Sequence, residues 1–419
     1  MKKINFIDSF IGKNYIRKKL RDCTMNNRLI PLLIFITLVF EFSLYAQVKY
    51  SGSYMGSAYV YENINAETRG DYYHNFQFRI APENYTNLHL NSYFRFARRG
   101  DPAKWGDKLF NTYLHWAPRN KPVYFRAGRQ FFYNGVINTT ADAFLISVIP
   151  SRKLIIKAMG GMAAPYSREF KVQSWDEGGL FGGYLSYRFS ELIKADLSYF
   201  DRQRDSEKIW QLMGAALSGI FVPQFYYQLQ FDYNFKTKSY QGIRGRLSYY
   251  YDKWVFSGEY NDQKPRIYED SYFRIFDVRA YRQFRGMVTY ELSIVQVGLQ
   301  YLYTAYEEDN TNQLIFTIGK NWGHIGLLYQ NGFGGDNFGL FGNVLWEFVP
   351  TLTAKLYASY YNYQFHTTEI TDDATAFSAG LIYQPITLLA LHGELQQSIN
   401  KIYKNDVRGL FRIHLFLRN

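Results

Sequence analysis

The sequence predicts an all-β chain: a closed antiparallel transmembrane β-barrel with an even number of strands, between 16 and 22, the upper half of that range favoured. Three observations predict it. The first is aromatic content: 39 Tyr and 35 Phe bring aromatics to 19% of 419 residues, beside 20% charged residues. That charge does not suit a bundle of membrane helices, and a soluble core has no use for so many tyrosines. A barrel does, because Tyr and Trp settle at the two lipid–water interfaces. The second is alternation with period two from Val48 to the end, with no helical period sustained over three turns. The third is segment length: these alternating runs last roughly 9–12 residues, enough to cross a bilayer at a tilt, whereas globular strands average about 5–6.

Residues 1–46 read as an export signal. The run LIPLLIFITLVF from Leu29 to Phe40 is too short for a spanning helix, which needs roughly 20 residues, and right for a signal core. Arg28 supplies the charge before it. Ser43-Leu44-Tyr45-Ala46 places cleavage before Gln47, so the barrel domain is expected at 47–419. Met25-Asn26-Asn27-Arg28 would be an ordinary start, which makes residues 1–24 a candidate over-extension. The lone cysteine, Cys23, lies in this segment, so the domain has no thiol for a disulfide or a thiolate metal site. Of the net charge of +12, this segment carries eight Lys/Arg and three acids, a surplus of five that leaves +7 for the domain. A charge of that size is no nucleic-acid footprint, and no nucleic-acid partner is expected.

The strands follow in order. Phe76, Phe78 and Ile80 alternate with Asn75, Gln77 and Arg79; Leu88, Leu90, Phe94 and Phe96 with His89, Asn91, Tyr93 and Arg95. Residues 225–236 show the pattern best. Phe225, Tyr227, Leu229, Phe231, Tyr233 and Phe235 form an apolar face; Tyr226, Gln228, Gln230, Asp232, Asn234 and Lys236 form a polar one. Ile243, Leu247 and Tyr249 oppose Arg244, Arg246 and Ser248; Val297, Leu299 and Tyr301 oppose Gln296, Gly298 and Gln300; Val407, Phe411, Ile413, Leu415 and Leu417 oppose Arg408, Arg412 and His414. In lipid every backbone group must be paired, so such a sheet has to close on itself.

Short links recur at 82–87, 118–122, 222–224, 252–253, 350–351 and 385–387. Longer polar connections lie at 62–71, 99–107, 165–178, 263–283, 307–312 and 366–374. Short links belong to the periplasmic end of such barrels and longer ones to the outside. Counting on this basis gives twenty-two strands with both ends at the short-link side, provided residues 143–163 split at Pro150-Ser151. The segments 142–149 and 324–331 are the weakest strands and could also be loops.

Tyr124-Phe125-Arg126-Ala127-Gly128-Arg129-Gln130, followed by Phe131-Phe132-Tyr133-Asn134-Gly135, resembles the R-x-G-R-Q strand with trailing Tyr/Gly of bacterial outer-membrane porins, including the alginate-export-like group. The resemblance continues to about Ala163. It implies an outer-membrane barrel that carries small polar solutes passively. Its partners would be outer-membrane lipid and lipopolysaccharide, the barrel-assembly machinery and small polar solutes; a homo-oligomer is common among such barrels, with no interface singled out here. The alternative is a non-conducting barrel that scaffolds or anchors a surface or secretion complex.

Alternation puts Arg126, Gly128 and Gln130 on one face and Arg129 on the other. An arginine facing lipid at mid-bilayer would cost about 2–4 kcal/mol, so Arg129 is expected either at headgroup level or turned inward at a bulge, lining a constriction. The pore-lining candidates are Arg79, Arg95, Arg126, Gln130, Arg188, Arg244, Arg246, Arg285, Glu291 and Arg412, with Lys355 and Arg408 beside them. Asp232, Glu259, Glu347 and Glu394 lie among them. Their basic excess would concentrate anions or acidic sugars; cross-strand Arg–Glu ladders would neutralise it instead. Residues 131–144 are a candidate to fold inward and narrow the passage. Residues 264–285, with Arg266, Arg274, Arg279, Arg282 and Arg285 among Tyr and Phe, read as an outer hairpin. No enzyme, metal or cofactor is expected: there is no G-x-S-x-G or H-E-x-x-H, and Asp372-Asp373 is a solvated loop pair.

Overall fold

The structure, a computed structural model, describes residues 48–62, 67–85, 87–100, 105–265, 280–364, 371–401 and 405–418. The segment read as an export signal, with its expected cleavage site, and residues 266–279 of the 263–283 connection lie outside the described residues. The described chain forms twenty-two strands of 10 to 16 residues. In order they are β1 (Val48–Glu62), β2 (Thr68–Pro82), β3 (Leu88–Arg98), β4 (Trp105–Trp116), β5 (Val123–Asn134), β6 (Ile137–Ser151), β7 (Leu154–Ala163), β8 (Gly179–Arg188), β9 (Lys194–Arg204), β10 (Glu207–Val222) and β11 (Phe225–Asn234). Then come β12 (Ser239–Tyr251), β13 (Trp254–Gln263), β14 (Tyr281–Glu291), β15 (Gln296–Ala305), β16 (Asn310–Lys320), β17 (Gly323–Gly332), β18 (Asp336–Val349), β19 (Leu352–Gln364), β20 (Thr371–Ile386), β21 (Leu389–Ile399) and β22 (Asp406–Arg418). A single helical turn, α1 (Trp175–Gly178), sits between β7 and β8.

Each strand pairs antiparallel with its neighbours in sequence, and β1 closes the sheet on β22 from Ser51/Arg418 to Val60/Gly409. Closure removes the unpaired edges that lipid cannot tolerate. Both segments that could have been loops, 142–149 and 324–331, are strands, and the turn expected at Pro150-Ser151 lies at 152–153.

Register and alternation divide every strand between two faces. In β11, Leu229 and Phe231 stand outward at 48% and 45% exposure, while Asp232 and Asn234 are turned in and buried. Outward neighbours continue this face around the wall: Leu229 meets Gly245, Tyr227 meets Leu247 and Tyr249 meets Phe256. An outer surface of exposed Leu, Phe, Ile and Tyr is what hydrocarbon solvates and water does not.

The wall departs from regularity in one sector. β5 pairs with β4 only from Phe125/Trp116 to Arg129/Thr112, yet with β6 along its whole length, Val123/Val148 to Asn134/Ile137. Beyond Arg129 the β5–β6 hairpin therefore leaves the wall.

Candidate functional site: the inward hairpin and the lumen it narrows

The departure begins at Gly128. Its φ of +120° belongs to glycine, and a Cβ there would stand 2.3 Å from the Thr112 carbonyl oxygen. The hairpin beyond it curls into the barrel and packs on the inner wall of β7–β10. Phe132, Val136 and Ile137 are 3%, 1% and 2% exposed against Met159, Leu180, Phe200 and Leu212 of that wall. Each such burial contributes roughly 1.5–3 kcal/mol. Polar contacts set the register of the docking: the Val136 N–H donates to Ser198 Oγ at 3.0 Å, and Lys157 Nζ donates to Asn134 Oδ1 at 2.8 Å. The turn fits because Gly135, at φ +58°, lies where a Cβ would strike Ser198 Oγ at 2.1 Å.

Residues 131–140 thus fold inward, as two paired strands and not as a loop, while 141–144 of the expected inward segment stay in the wall on β7. The opening they leave is crossed by the β7–β8 connection: the Leu109 N–H donates to the Arg168 carbonyl, and Phe170 lies on the outward ring of Phe94. Arg129 joins the pieces. At 2% exposure it donates from Nε and Nη2 to the two oxygens of Asp142, at 2.8 and 2.7 Å, and from Nη1 and Nη2 to the Glu169 and Lys171 carbonyls at 2.6 and 2.7 Å. It is neither a headgroup anchor nor a pore-lining arginine; it is a buried clamp on hairpin and connection. α1 ends that connection with a reciprocal cap, Ser174 Oγ accepting from the Glu177 N–H and the Glu177 carboxylate from the Ser174 N–H. That N–H, with Lys171 beside it, holds the exposed Glu177 carboxyl below its ordinary range.

Of the ten pore-lining candidates, nine have inward register. Gln130 does not reach the lumen: it is 1% exposed beneath the hairpin, donating from Nε2 to the Ala143 carbonyl at 3.1 Å, with Oε1 buried and unpartnered. The clearest cluster is a ladder across β2–β5 at the short-turn mouth. Arg79 Nη2 lies 3.2 Å from His89 Nδ1, His89 stacks on His115 with centroids 4.5 Å apart, and Arg126 Nε donates to His115 Nδ1 at 3.1 Å. A guanidinium only donates, so each Nδ1 accepts and both rings are neutral in this arrangement. Arg126 also lies over the rings of Tyr113 and Tyr124, each about 5.4 Å away. Among the described residues neither Arg79 nor Arg126 has a carboxylate within ion-pair distance.

The other candidates are spread round the wall. Arg95 donates to Asn75 and lies over Tyr73 and Phe110; Arg285 faces Glu259 at 3.7 Å; Arg188, near the short-turn mouth, meets Glu191 at 3.6 Å. Arg246 is registered with Glu259 and Gln228, and Arg244 with Asn261 and Gln230. Arg412 is beside His392, Lys355 opposite Gly380, and Glu291 at the end of β14 opposite Gln296. Arg408 is paired with Asp406. Arg79 and Arg126 gather with two histidines; the remainder do not form one site.

Between the hairpin and the wall from β8 to β13 lies a cleft of about 390 Å³. Tyr133 and Asn138 of the hairpin line one side, and Gln228, Gln230, Asp232, Arg244, Asn261 and Gln263 the other. Alternation alone missed Tyr133 and Asn138 as lumen residues, since in a straight strand they would face lipid. A signal was present: the inward positions Leu145, Met159, Leu180, Phe200 and Leu212 are apolar where a water-filled lumen calls for polar side chains.

No family model and no curated protein matches the chain. Among solved structures, it is similar to the P pilus usher (PapC) translocation pore at 10% identity, covering 88% of this chain and 99% of that one with TM-score 0.46. It is similar to Pseudomonas aeruginosa OccK5 (OpdH) at 12% identity, covering 89% and 98%, with TM-score 0.44. Acinetobacter baumannii OccAB4 stands at 10% identity with the same coverage and score. At these identities the likeness is to barrel architecture and assigns no cargo.

Proposed function

We propose that this chain is an outer-membrane, porin-type channel through which small polar solutes diffuse passively or with weak selectivity, preferring anions, acidic sugars among them. The outward surface of exposed apolar side chains requires lipid around the closed wall. The inward face supplies the polar passage, and the β5–β6 hairpin narrows it without apolar side chains sealing the cleft beside it.

The observation that carries the anionic preference is the Arg79–His89–His115–Arg126 ladder. Two fixed positive charges with no carboxylate at ion-pair distance among the described residues, held in a wall of low dielectric, attract anions and repel cations. The paired arginines elsewhere contribute less, because Glu259, Glu191 and Asp406 offset Arg285, Arg188 and Arg408.

The test is reversal potential across a planar bilayer under a salt gradient, on refolded residues 47–419. The expected result is steady open steps with chloride favoured, and a loss of most of that preference on replacing Arg79 and Arg126 together by Ala. Preference unchanged in the double variant would remove the ladder from the account. A folded barrel that never conducts would overturn the channel and leave a scaffold or anchor in its place.

A further inference from the structure

We propose that the cleft between the β5–β6 hairpin and the β11–β13 wall is a binding subsite for an uncharged sugar ring; this rests on the channel reading. Phe131 and Tyr133 are its anomaly. They stand 59% and 67% exposed with near-parallel rings, 13° apart and 6.3 Å between centroids. Most other exposed aromatics of the wall face outward, where lipid covers them; Tyr226, Tyr250 and Tyr357 have inward register but are less exposed, at 36%, 49% and 38%. Phe131 and Tyr133 lie on the hairpin face opposite the one packed on β7–β10, and Tyr133 lines the lumen cleft, out of reach of lipid. An aromatic face kept bare in a water-filled passage calls for an apolar surface that visits it, and the C–H face of a pyranose is one that remains water-soluble.

The opposite side matches the rest of such a ring. Gln228, Gln230, Asn261 and Gln263, with Asn138 from the hairpin, each carry both donors and an acceptor. That pairing suits hydroxyl groups, which donate and accept at once, better than it suits an ion of either sign. The charges do not favour an ion: Arg244 is set against Asp232 and Asp196, and Asp196 is itself paired with Lys194 at 2.8 Å. Gly214, Ala216 and Gly242 leave the space open, and about 390 Å³ falls within the range of small-molecule sites. The basic ladder sits near the short-turn mouth, whereas this cleft is mid-strand: Gln230 is in the middle of β11 and Arg244 in the middle of β12. Charge preference and ring recognition thus reside in different places.

The probe is maltotriose, read in two ways on the refolded barrel: as transient block of single-channel current, and as binding heat to the detergent-solubilised barrel. The expected result is saturable block and saturable heat. Tyr133→Ala should raise the dissociation constant about tenfold, while Tyr133→Phe keeps it near the parent. Gln230→Leu should weaken binding as well. Sorbitol, which has the hydroxyls without a ring face, should compete poorly. Absence of maltotriose binding heat, or binding that Tyr133→Ala and Gln230→Leu both leave unchanged, overturns the subsite even in a conducting barrel. Binding heat in a barrel that never conducts overturns the channel reading and leaves the subsite standing.

Discussion

Two stretches of one wall, β11–β13 and β7–β10, have the same strand geometry and opposite interiors. The inward face of the first is Gln228, Gln230, Arg244, Arg246, Glu259 and Asn261, turned to the passage. The inward face of the second includes Met159, Leu180, Phe200 and Leu212, all nearly fully buried under the β5–β6 hairpin. Period-two alternation cannot distinguish them, because both alternate. Chemistry at the inward positions does: where a lumen wall turns apolar, it is a seat for chain and not for water. The same contrast separates two arginines three residues apart. Arg126 points to the passage and has no carboxylate at ion-pair distance among the described residues, while Arg129 directs its donors to Asp142 and three carbonyls.

The largest expected effects break the apolar seat and its clamp. Phe132→Ala removes the buried ring and should weaken hairpin docking by about 3–5 kcal/mol, seen as protease cleavage near the hairpin tip that the parent resists. Arg129→Ala leaves the part-buried Asp142 carboxylate uncompensated, also at about 3–5 kcal/mol, and should give noisy, larger conductance steps. Arg126→Ala, by contrast, should shift reversal potential and leave unfolding in urea nearly unchanged. An Arg126 variant as unstable as the Arg129 variant would dissolve the distinction between them.

Next comes the outer face. Leu229→Arg puts a charge toward lipid and should cost about 2–4 kcal/mol in urea unfolding from bilayers; Gln230→Arg, one position on and inward, should cost far less. Gly128→Ala forces a side chain into a positive-φ position against the Thr112 carbonyl and should destabilise by about 1–3 kcal/mol. The smallest effect concerns α1. Because the Glu177 carboxyl is held below its ordinary range, its capping contribution is fully present above that range and is lost as pH falls from there through the group's own lowered value. The protection factors of the Ser174 and Glu177 amides, taken relative to intrinsic exchange at each pH, should fall on acidification, and a flat profile would show the cap to be unimportant.

Much of this is legible in the amino-acid sequence. Strand alternation, the short links and the even count lead to twenty-two strands, and the inward–outward pairs cited for 225–232 and 243–249 hold their faces, whereas Phe235 and Lys236 lie in the turn after β11. The limits have physical causes. Alternation assumes a strand that stays in the wall, so it set Gln130 in the lumen; the bend at Gly128 buries Gln130 beneath the hairpin instead and carries Tyr133 to the passage. The role of Arg129 depends on Asp142 and on carbonyls about forty residues away, contacts that no local pattern encodes. The histidine ladder is a cross-strand relation as well, visible only once β3 and β4 are in register at His89 and His115.

The most direct test of the central claim, an open polar passage narrowed by an inward hairpin, is single-channel conductance before and after the hairpin is shortened. Replacing residues 131–140 by a two-residue Asn-Gly turn keeps Gly128, Arg129 and Asp142 in place and removes the obstruction. Conductance should rise severalfold in steady steps, with the barrel still folded and heat-modifiable. A folded, shortened barrel whose conductance equals the parent's, or is zero like the parent's, would contradict the account.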